Sequence, residues 1–431
     1  MKPKILLDIA ALGHGFDMKS ARRGVERVVE QLFEGLLKSD FCDVSFMATA
    51  SLAGTYDFLR ERDVEPKEKL KFCSRQLSSS RRAQRLTREI YRTMEDNRLT
   101  ARSIRKMRAL AAGWLEKGAA DIKEDFLADA DIYHTPHANY PLMPFPPAVL
   151  KNRRLKKFIT IHDLMIVKHP EIFGTSIRPY FKRMRGCFSK RTFAFCASES
   201  VRADILELTP LQPERIFFTP LAADRDLFYP ASRAEVCAAL KKSGVPDAPY
   251  FLALSAPEPH KNFAHLIQCL AGLVQSSELP DHNLVIVGRN AARNPLVAGA
   301  LAKHPELAGR ILTPGFVPDE NLATIYSGAT AFLFPSLVEG FGLPPLEAMQ
   351  CGAPVISSNT TSMPEVIGDA GILLPPTDVD GWCQAMLRVS RDEALRQEMA
   401  AQSLRQAKKF SWERFVEATV RGYQASLDFK D

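Results

Sequence analysis

The chain has 431 residues, 46% of them hydrophobic and 25% charged, a composition typical of a globular protein with two or three domains. Its opening segment 1–10 turns acidic too early for a secretory signal, and the longest uncharged stretch, 132–150, contains five prolines, which excludes a membrane-spanning helix there. Eight cysteines without a Cys-x-x-Cys pair predict a reduced, cytoplasmic chain with no zinc site or disulfide framework, and the net charge is +7.

Short apolar runs alternate with helical patterns through the first half of the chain. Lys4–Ala10 has the pattern of a strand, and after a Gly-containing loop the apolar positions of Val25–Leu37 repeat at helical spacing. Similar strands are predicted at Asp131–His134, Lys157–Ile161 and Thr192–Ala197. This alternation predicts an α/β fold with a parallel, doubly wound sheet.

Positive charge is concentrated in segment 71–108, which has twelve Lys and Arg residues and three acids, a net charge of +9. Apolar residues in and just after this segment, ending at Trp114, recur at helical spacing, which predicts basic amphipathic helices. Two interpretations remain open, a solvated helical face and a surface that docks on an anionic membrane. Nucleic acid is a weaker third interpretation, and no nucleic-acid partner is expected.

A second series of strands and helices begins after segment 245–249 and predicts a second Rossmann-like sheet. Its strands are predicted at Tyr250–Ser255, Leu284–Gly288, Arg310–Thr313, Ala331–Phe334 and Pro354–Ser357. Its helices are predicted at Phe263–Gln275, Asp319–Gly328, Pro345–Gln350 and Val379–Ser390. The predicted domains are therefore 1–230 and 231–410, and a last helix over 411–426, capped by Ser411, is expected to pack partly on the first domain.

A glycine-rich loop follows the strand Ala331–Phe334 and leads into a short helix with Pro345 in its first turn. Ligands bind at this carboxyl edge of an open parallel sheet. The glycines let the backbone approach a ligand closely, and the amides of Phe341, Gly342 and Leu343 can donate to an anion near the helix N-terminus. The loop is therefore a candidate site for an anionic ligand.

Two acids flank this loop, Glu339 on it and Glu347 on the following helix. Carboxylates accept hydrogen bonds from paired sugar hydroxyls, so the two can hold hydroxyl groups at two ends of one ligand. The alternatives are a surface acid for Glu339 and an acid that complements the helix dipole for Glu347. Lys261, which follows the first strand of the second domain, places a positive charge at the same edge of the sheet.

The stretch from Phe334 to Glu347 resembles the Glu-x7-Glu motif of glycosyltransferase family 4, including its Pro-Ser and Gly-Phe-Gly-Leu-Pro flanks. The resemblance covers nearly the whole second domain and, more weakly, the first. It implies the GT-B fold, two Rossmann-like domains facing a cleft, with the nucleotide ribose on Glu347, the donor sugar by Glu339 and the diphosphate on the loop amides. Segment 315–318 resembles the one that frames the base, which makes Val317 a base-pocket candidate.

Three further site residues follow from the same resemblance. His162, at the end of a predicted strand, is similar to the family's histidine near the anomeric centre, although a lone histidine after a strand is more often structural. Gly24 resembles the glycine that approaches the diphosphate. The family has Arg-Lys where this chain has His260-Lys261. This match implies that Lys261 neutralises the diphosphate and stabilises the leaving nucleotide, and it makes His260 a donor-binding candidate. With histidine in place of arginine, the cationic clamp calls for another basic residue to assist.

His134 and His137 are interpreted as lining an acceptor cleft and not as a metal pair. Three Asp-x-Asp pairs lie away from the glycine loops and are interpreted as turns and helix caps: Asp129/Asp131, Asp224/Asp226 and Asp378/Asp380. No metal, and no cofactor besides the nucleotide sugar that serves as donor substrate, is therefore expected.

The function implied is a metal-independent, retaining transfer of a hexose, with mannose preferred, from a nucleotide diphosphate sugar to a glycan or lipid-linked acceptor. Catalytic candidates are His162, Glu339 and Lys261. One alternative is another two-Rossmann sugar enzyme, either a phosphorylase or an epimerase. The other is a catalytically silent nucleotide-sugar-binding scaffold, for which His260 in place of arginine is the hint. A cytoplasmic location, peripheral at the inner face of the membrane, is expected.

Overall fold

The computed structural model describes residues 2–18, 24–49, 55, 58–59, 61–64, 127–137, 144–173, 178–254, 258–279, 281–288, 291 and 294–429. The basic segment 71–108 and Trp114 lie outside the described residues, so the amphipathic helices proposed there stay a prediction. Within the described ranges, no helix is both long and apolar enough to cross a membrane.

Within the described residues, six parallel strands form the first sheet, in the order β2-β1-β3-β4-β5-β6. They are β1 (Lys4–Asp8), β2 (Asp43–Met47), β3 (Ile132–Thr135), β4 (Lys156–Thr160), β5 (Thr192–Cys196) and β6 (Ile216–Phe218). Alternate residues of β1 enter different apolar clusters, Ile5 and Leu7 on one face and Leu6 on the other. Both faces of the sheet are therefore covered, which explains why its strands have continuous apolar runs.

Helices flank this sheet, and we refer to this part of the chain as the first domain. They are α1 (Ala10–Met18), α2 (Gly24–Lys38), α3 (Pro147–Lys151), α4 (Met165–Lys168), α5 (Pro170–Phe173), α6 (Arg178–Arg185) and α7 (Glu199–Leu208). Helix α2 buries Val29, Phe33 and Leu36 along one stripe, as the helical spacing predicts. Helix α7 begins after Ser198, whose hydroxyl accepts from the Val201 amide.

The second sheet also has six parallel strands, in the order β12-β11-β10-β7-β8-β9, and we call this part of the chain the second domain. Its strands are β7 (Tyr250–Leu254), β8 (Asn283–Val287), β9 (Ile311–Gly315), β10 (Ala331–Phe334), β11 (Val355–Ser358) and β12 (Ile372–Leu374). Its helices are α8 (Arg233–Lys242), α9 (Phe263–Gln275), α10 (Pro295–Leu301), α11 (Asp319–Ser327), α12 (Leu343–Gln350), α13 (Met363–Ile367), α14 (Val379–Arg391) and α15 (Glu393–Ala407). The predicted fold class, two parallel-sheet α/β domains, is confirmed.

Among the described elements, helix α15 is the largest that the sequence did not predict. Its buried face includes Ser403 and Gln406, so the apolar period of an amphipathic helix is weak. These polar side chains are satisfied by backbone carbonyls, since Ser403 donates to Ala353 at 3.1 Å and Gln406 to Val366 at 3.0 Å. Tertiary hydrogen bonds therefore replace the hydrophobic stripe.

The last helix, α16 (Trp412–Asp428), returns to the first domain and packs on α2, β5 and β6. Ser411 caps it by accepting from the Arg414 amide, as predicted. Gly422 lies against the Phe195 ring, where a Cβ would approach Cε1 to 2.5 Å. The Tyr423 hydroxyl, fully buried, lies 2.6 Å from a ring nitrogen of His134 in β3.

The carboxyl edges of the two sheets meet at the loop after β10. A Cβ on Gly340 would lie 2.3 Å from the carbonyl oxygen of His162, which follows β4. The Ser198 hydroxyl, at the end of β5, donates to the Gly340 carbonyl at 2.7 Å. The Glu365 carboxylate of α13 also accepts from the first amides of α7 at 2.7 and 2.9 Å, complementing the positive end of that helix dipole.

Gly422→Ala should destabilise the protein by about 1–3 kcal/mol, because the added methyl group would overlap the buried Phe195 ring. Gly272→Ala in α9 is the matched control, since a Cβ there would have no described atom within 4 Å apart from its chain neighbours and the backbone of its own helix, and alanine favours a helix by up to about 1 kcal/mol. Urea unfolding measures the difference. Equal free energies of unfolding for the two variants would contradict tight packing of α16 on β5.

Candidate active site

Glu339 lies on the loop after β10 and accepts two short hydrogen bonds on one oxygen. Lys261 Nζ and Ser336 Oγ each lie 2.6 Å from Glu339 Oε1. The Lys261 ammonium also lies 5.1 Å from the centre of the Phe334 ring, within cation–π range. The Lys261 and Glu339 side chains are only 15% and 11% exposed, so they form a largely desolvated ion pair at the carboxyl edge of the second sheet.

His260 stands beside this ion pair. Its ring is buried, with Nε2 3.8 Å from Glu339 and 3.6 Å from Glu258, and the Phe173 ring of the first domain packs on it at 5.2 Å. Burial and the adjacent Lys261 lower the pKa of His260, against the opposing effect of the two carboxylates, so the ring is neutral at physiological pH. Its buried Nδ1 has no hydrogen-bond partner among the described residues, which leaves a polar atom for a ligand.

Glu347 lies in α12 with its carboxyl group buried. Arg27 of the first domain donates to Oε1 at 2.7 Å, and the Tyr326 hydroxyl donates to Oε2 at 3.2 Å. Burial raises the pKa of the Glu347 carboxyl, while Arg27 and Tyr326 act to lower it. The same guanidinium pairs with Asp319 at 2.7 Å; burial would lower the pKa of Arg27, but Glu347 and Asp319 together raise it.

Arg27 is a site residue that the sequence reasoning missed. It follows Gly24 by three positions and therefore lies on the same side of α2, one turn further along the helix. That spacing was the sequence signal that could have identified Arg27 as a site residue. The sequence could not show which acid Arg27 pairs with, because Glu347 lies 320 positions away in the chain.

The glycine loop between the two acids is shaped by close contacts. Gly342 has a φ of +110°, and a Cβ there would lie 2.4 Å from Cε of Met363, so the position requires glycine. The side chain of Phe341 is buried against Phe410, with ring centres 5.8 Å apart. Phe341 and Gly342 can therefore offer a ligand only their backbone.

The amides of Phe341, Gly342 and Leu343 donate to no described residue, and α12 begins at Leu343. Gly24, the first residue of α2, lies close by, since a Cβ on it would be 3.2 Å from Leu343 Cδ1. Two helix N-termini thus meet at the loop. Their amides and dipoles favour a negative group between them.

His162 faces this loop from the first domain. Its Nε2 lies 2.9 Å from the Pro136 carbonyl oxygen, which can only accept, so Nε2 carries a proton. Burial lowers the pKa of His162 despite that bond, which keeps the ring neutral with Nδ1 as an acceptor. Burial raises the pKa of the adjacent Asp163 to about 6. The His137 ring centre lies 5.9 Å from that of His162, so these two histidines are neighbours.

His134 does not line a cleft, contrary to the interpretation from sequence. It is fully buried in β3, where Nδ1 lies 2.6 Å from the Tyr423 hydroxyl and Nε2 lies 2.9 Å from the Thr160 hydroxyl. Burial lowers the pKa of His134 to about 3, which makes it a neutral core residue. The Val317 side chain is also buried, so a base could meet only its backbone, whereas the adjacent Phe316 is 45% exposed.

Two of the Asp-x-Asp pairs act locally, as turns or caps. Asp378 accepts from the Gly381 amide at 3.0 Å and caps α14, and Asp224 accepts from the Asp226 amide at 2.9 Å in a turn. Across the described ranges, no cluster of three or more His, Cys, Asp and Glu side chains is arranged to hold a metal ion. Independence from metal remains a prediction.

Comparisons with known proteins agree with this geometry. Residues 239–406 match the family described as Glycosyl transferases group 1. The O-antigen chain mannosyltransferase B of Escherichia coli is 34% identical over 295 residues, which are 68% of this chain and 74% of that relative. A glycosyltransferase structure from Rickettsia africae has a TM-score of 0.67 at 17% identity and covers 100% of both chains. HepE of Anabaena, solved in complex with UDP and glucose, has a TM-score of 0.65 at 14% identity and covers 98% of this chain and 100% of its own.

The two solved structures, at such low identity, bear on the fold alone. The family match spans Lys261, the glycine loop and both acids, which are the residues gathered at the carboxyl edge of the second sheet. The E. coli relative extends the similarity over two thirds of each chain. The chain therefore belongs to the group 1 glycosyl transferases and is a glycosyltransferase with the GT-B fold.

Proposed function

We propose that this glycosyltransferase moves mannose, with retention of configuration, from a nucleotide diphosphate sugar to a glycan or lipid-linked acceptor. The observation that carries the proposal is the placement of Glu339 and Glu347 on either side of a glycine loop whose amides donate to no described residue. Carboxylates suit the hydroxyl groups of the sugar and the ribose. Lys261, after the neighbouring strand, and the loop amides suit a diphosphate.

Each group has a role in this proposal. Glu347 accepts hydrogen bonds from the ribose, and Glu339 accepts them from the donor sugar. Lys261 and the amides of the loop stabilise the negative charge that develops on the leaving nucleoside diphosphate. Neutral His162, which lies against Gly340, contacts the donor sugar near its anomeric carbon.

The acceptor hydroxyl attacks the anomeric carbon from the face that the diphosphate leaves. The bond from this carbon to the phosphate oxygen breaks as the new glycosidic bond forms, and a leaving-group oxygen takes the acceptor's proton. The electron pair of the broken bond stays on the diphosphate. No carboxylate has to form a covalent glycosyl intermediate, unlike the two-carboxylate mechanism of retaining hydrolases.

The preference for mannose rests on the E. coli relative, whose name is O-antigen chain mannosyltransferase B. That name also supports an acceptor in a growing surface polysaccharide. We propose no particular nucleotide, because Val317, the base-pocket candidate, has a buried side chain and could contact a base only through its backbone.

Segment 71–108 is proposed to attach the protein to the anionic inner face of the membrane, where a lipid-linked acceptor would lie. The support is its net charge of +9. Each basic residue near an anionic surface contributes about 1 kcal/mol, so half of the twelve are enough for reversible attachment.

Glu347→Gln should weaken binding of the nucleoside diphosphate by about 1.5–3 kcal/mol, because the ribose loses hydrogen bonds to a charged acceptor. Calorimetric titration with GDP, UDP and ADP measures the affinity. Glu398→Gln makes the same chemical change on the exposed side of α15 and should have no effect. An unchanged affinity in Glu347→Gln would show that Glu347 does not bind the ribose.

Transfer should survive EDTA, because Lys261 and the loop amides supply the positive charge that a divalent cation provides in metal-dependent enzymes. Product formation is measured with and without the chelator, and a parallel reaction with a known manganese-dependent glycosyltransferase shows that chelation is complete. Loss of activity that Mg²⁺ or Mn²⁺ restores would overturn metal independence.

Neutralising Arg81, Arg82, Arg85 and Arg88 together should reduce co-sedimentation with anionic vesicles, and binding by the unchanged protein should fall as salt rises, since screening acts within about 10 Å at 0.1 M salt. Hydrolysis of the soluble donor should be unaffected. The control neutralises four exposed bases of the second domain: Arg233, Lys241, Lys242 and Lys408. Failure of the unchanged protein to bind vesicles at low salt would leave segment 71–108 a solvated face and favour a soluble acceptor.

A further inference from the structure

Arg27 joins the two domains at the donor site. It belongs to α2 of the first domain, yet its guanidinium lies 2.7 Å from Glu347 and 2.7 Å from Asp319, both of the second domain. It also lies 5.5 Å from the centre of the Phe228 ring. The Arg27 side chain is only 15% exposed, so its charge is expensive to bury unless these acids neutralise it.

The Glu347 carboxyl depends on Arg27 for its charge. Among the described residues, Arg27 is the only cationic group paired with it. The other groups around it are Tyr326, which donates a hydrogen bond, and Asp319 and Cys351, neither of which is cationic. A buried carboxylate with no cation takes up a proton far more readily than one in water.

We propose that Arg27, anchored by Asp319, is a positioning residue of the donor site. Its guanidinium keeps the Glu347 carboxylate charged and oriented for the nucleotide ribose. This inference rests on the proposed function, in which Glu347 binds that ribose. Arg27 Nε is buried and has no acceptor within the described part of the chain, so one donor remains for a ligand oxygen. The nucleotide site is then complete only when both domains contribute to it.

The proposal predicts a dependence on pH with a definite sign. Burial raises the pKa of Glu347, and the two groups that lower it most are Arg27 and Tyr326. Without the guanidinium, only the Tyr326 hydroxyl opposes the effect of burial on the pKa of Glu347. That pKa therefore rises further, and protonation of the carboxyl competes with ribose binding. In a variant without the guanidinium, nucleotide affinity should therefore fall as pH falls, and it should recover as pH rises.

The test is Arg27→Gln in the full-length protein, titrated calorimetrically with GDP-, UDP- and ADP-linked hexoses between about pH 6 and about pH 8.5, because their esterified diphosphates do not titrate in this range as the terminal phosphate of a free diphosphate does. The unchanged protein should depend on pH less than the variant, because the guanidinium acts to lower the pKa of Glu347. Relative to the unchanged protein, Arg27→Gln should lose affinity toward low pH, by up to roughly tenfold per pH unit for one linked proton. Arg27→Lys keeps a positive charge and should restore most of the profile of the unchanged protein.

Two further variants separate this role from a structural one. The double variant Arg27→Gln/Glu347→Gln has no carboxyl to protonate, so its affinity should be low and independent of pH. Arg62→Gln is the matched control, because Arg62 also pairs with two acids, Glu30 and Glu34, but within the first domain. It should leave the affinity and its pH profile unchanged.

The outcomes are distinct. A loss of affinity that is uniform with pH in Arg27→Gln would overturn the claim that Arg27 keeps Glu347 charged, and no loss at any pH would overturn the positioning role as a whole. Should Arg27→Gln fail to fold by circular dichroism, Arg27→Lys still tests the role, since the proposal requires its pH profile to match that of the unchanged protein, and a steeper profile contradicts it. If Glu347→Gln alone leaves nucleotide affinity unchanged, the proposed binding of the ribose by Glu347 is wrong. That result is distinct from one that overturns only the role of Arg27.

Discussion

The approach of Gly340 to the His162 backbone is the constraint on which the site depends. Because position 340 has no side chain, the loop after β10 reaches the end of β4, and the Ser198 hydroxyl holds it there through a 2.7 Å hydrogen bond. Any larger residue would have to displace a backbone carbonyl, which is far less yielding than a flexible side chain. With the loop held, Gly24 and Arg27 of the first domain come within reach of groups that the second domain supplies.

Opposite charges organise this meeting of the domains. In the structure Lys261 is neutralised by Glu339, and Arg27 by Glu347 and Asp319, so each cation of the site already has a carboxylate partner. Buried ion pairs of this kind contribute little net stability, because desolvation offsets the Coulomb attraction. A bound nucleotide would therefore meet cations that carboxylates already neutralise in part, and binding does not require bare charges to be stored in the free protein.

The C-terminal helix α16 is a second link between the domains. It follows the second domain in the chain and packs on the core of the first sheet. Its Tyr423 meets His134, and its Gly422 allows it to lie directly on Phe195. With this contact, both ring nitrogens of His134 have partners inside the protein, the hydroxyls of Tyr423 and Thr160. A histidine near other site residues in sequence is thus a structural residue, because the neighbour that satisfies it comes from the last helix.

The sequence by itself determined the two parallel sheets, most strands of the second domain and the glycine loop with its flanking acids, because apolar periodicity, glycine spacing and helix caps are local signals. It also identified His162 and Lys261 as candidates, through the resemblance of short motifs. Only the tertiary structure decided which side chains meet: Arg27 with Glu347, His134 with Tyr423, and Ser403 and Gln406 of α15 with backbone carbonyls. Burial and long-range partners set the charge and role of these residues, and neither can be read from the neighbouring sequence, since the partners lie tens to hundreds of positions apart.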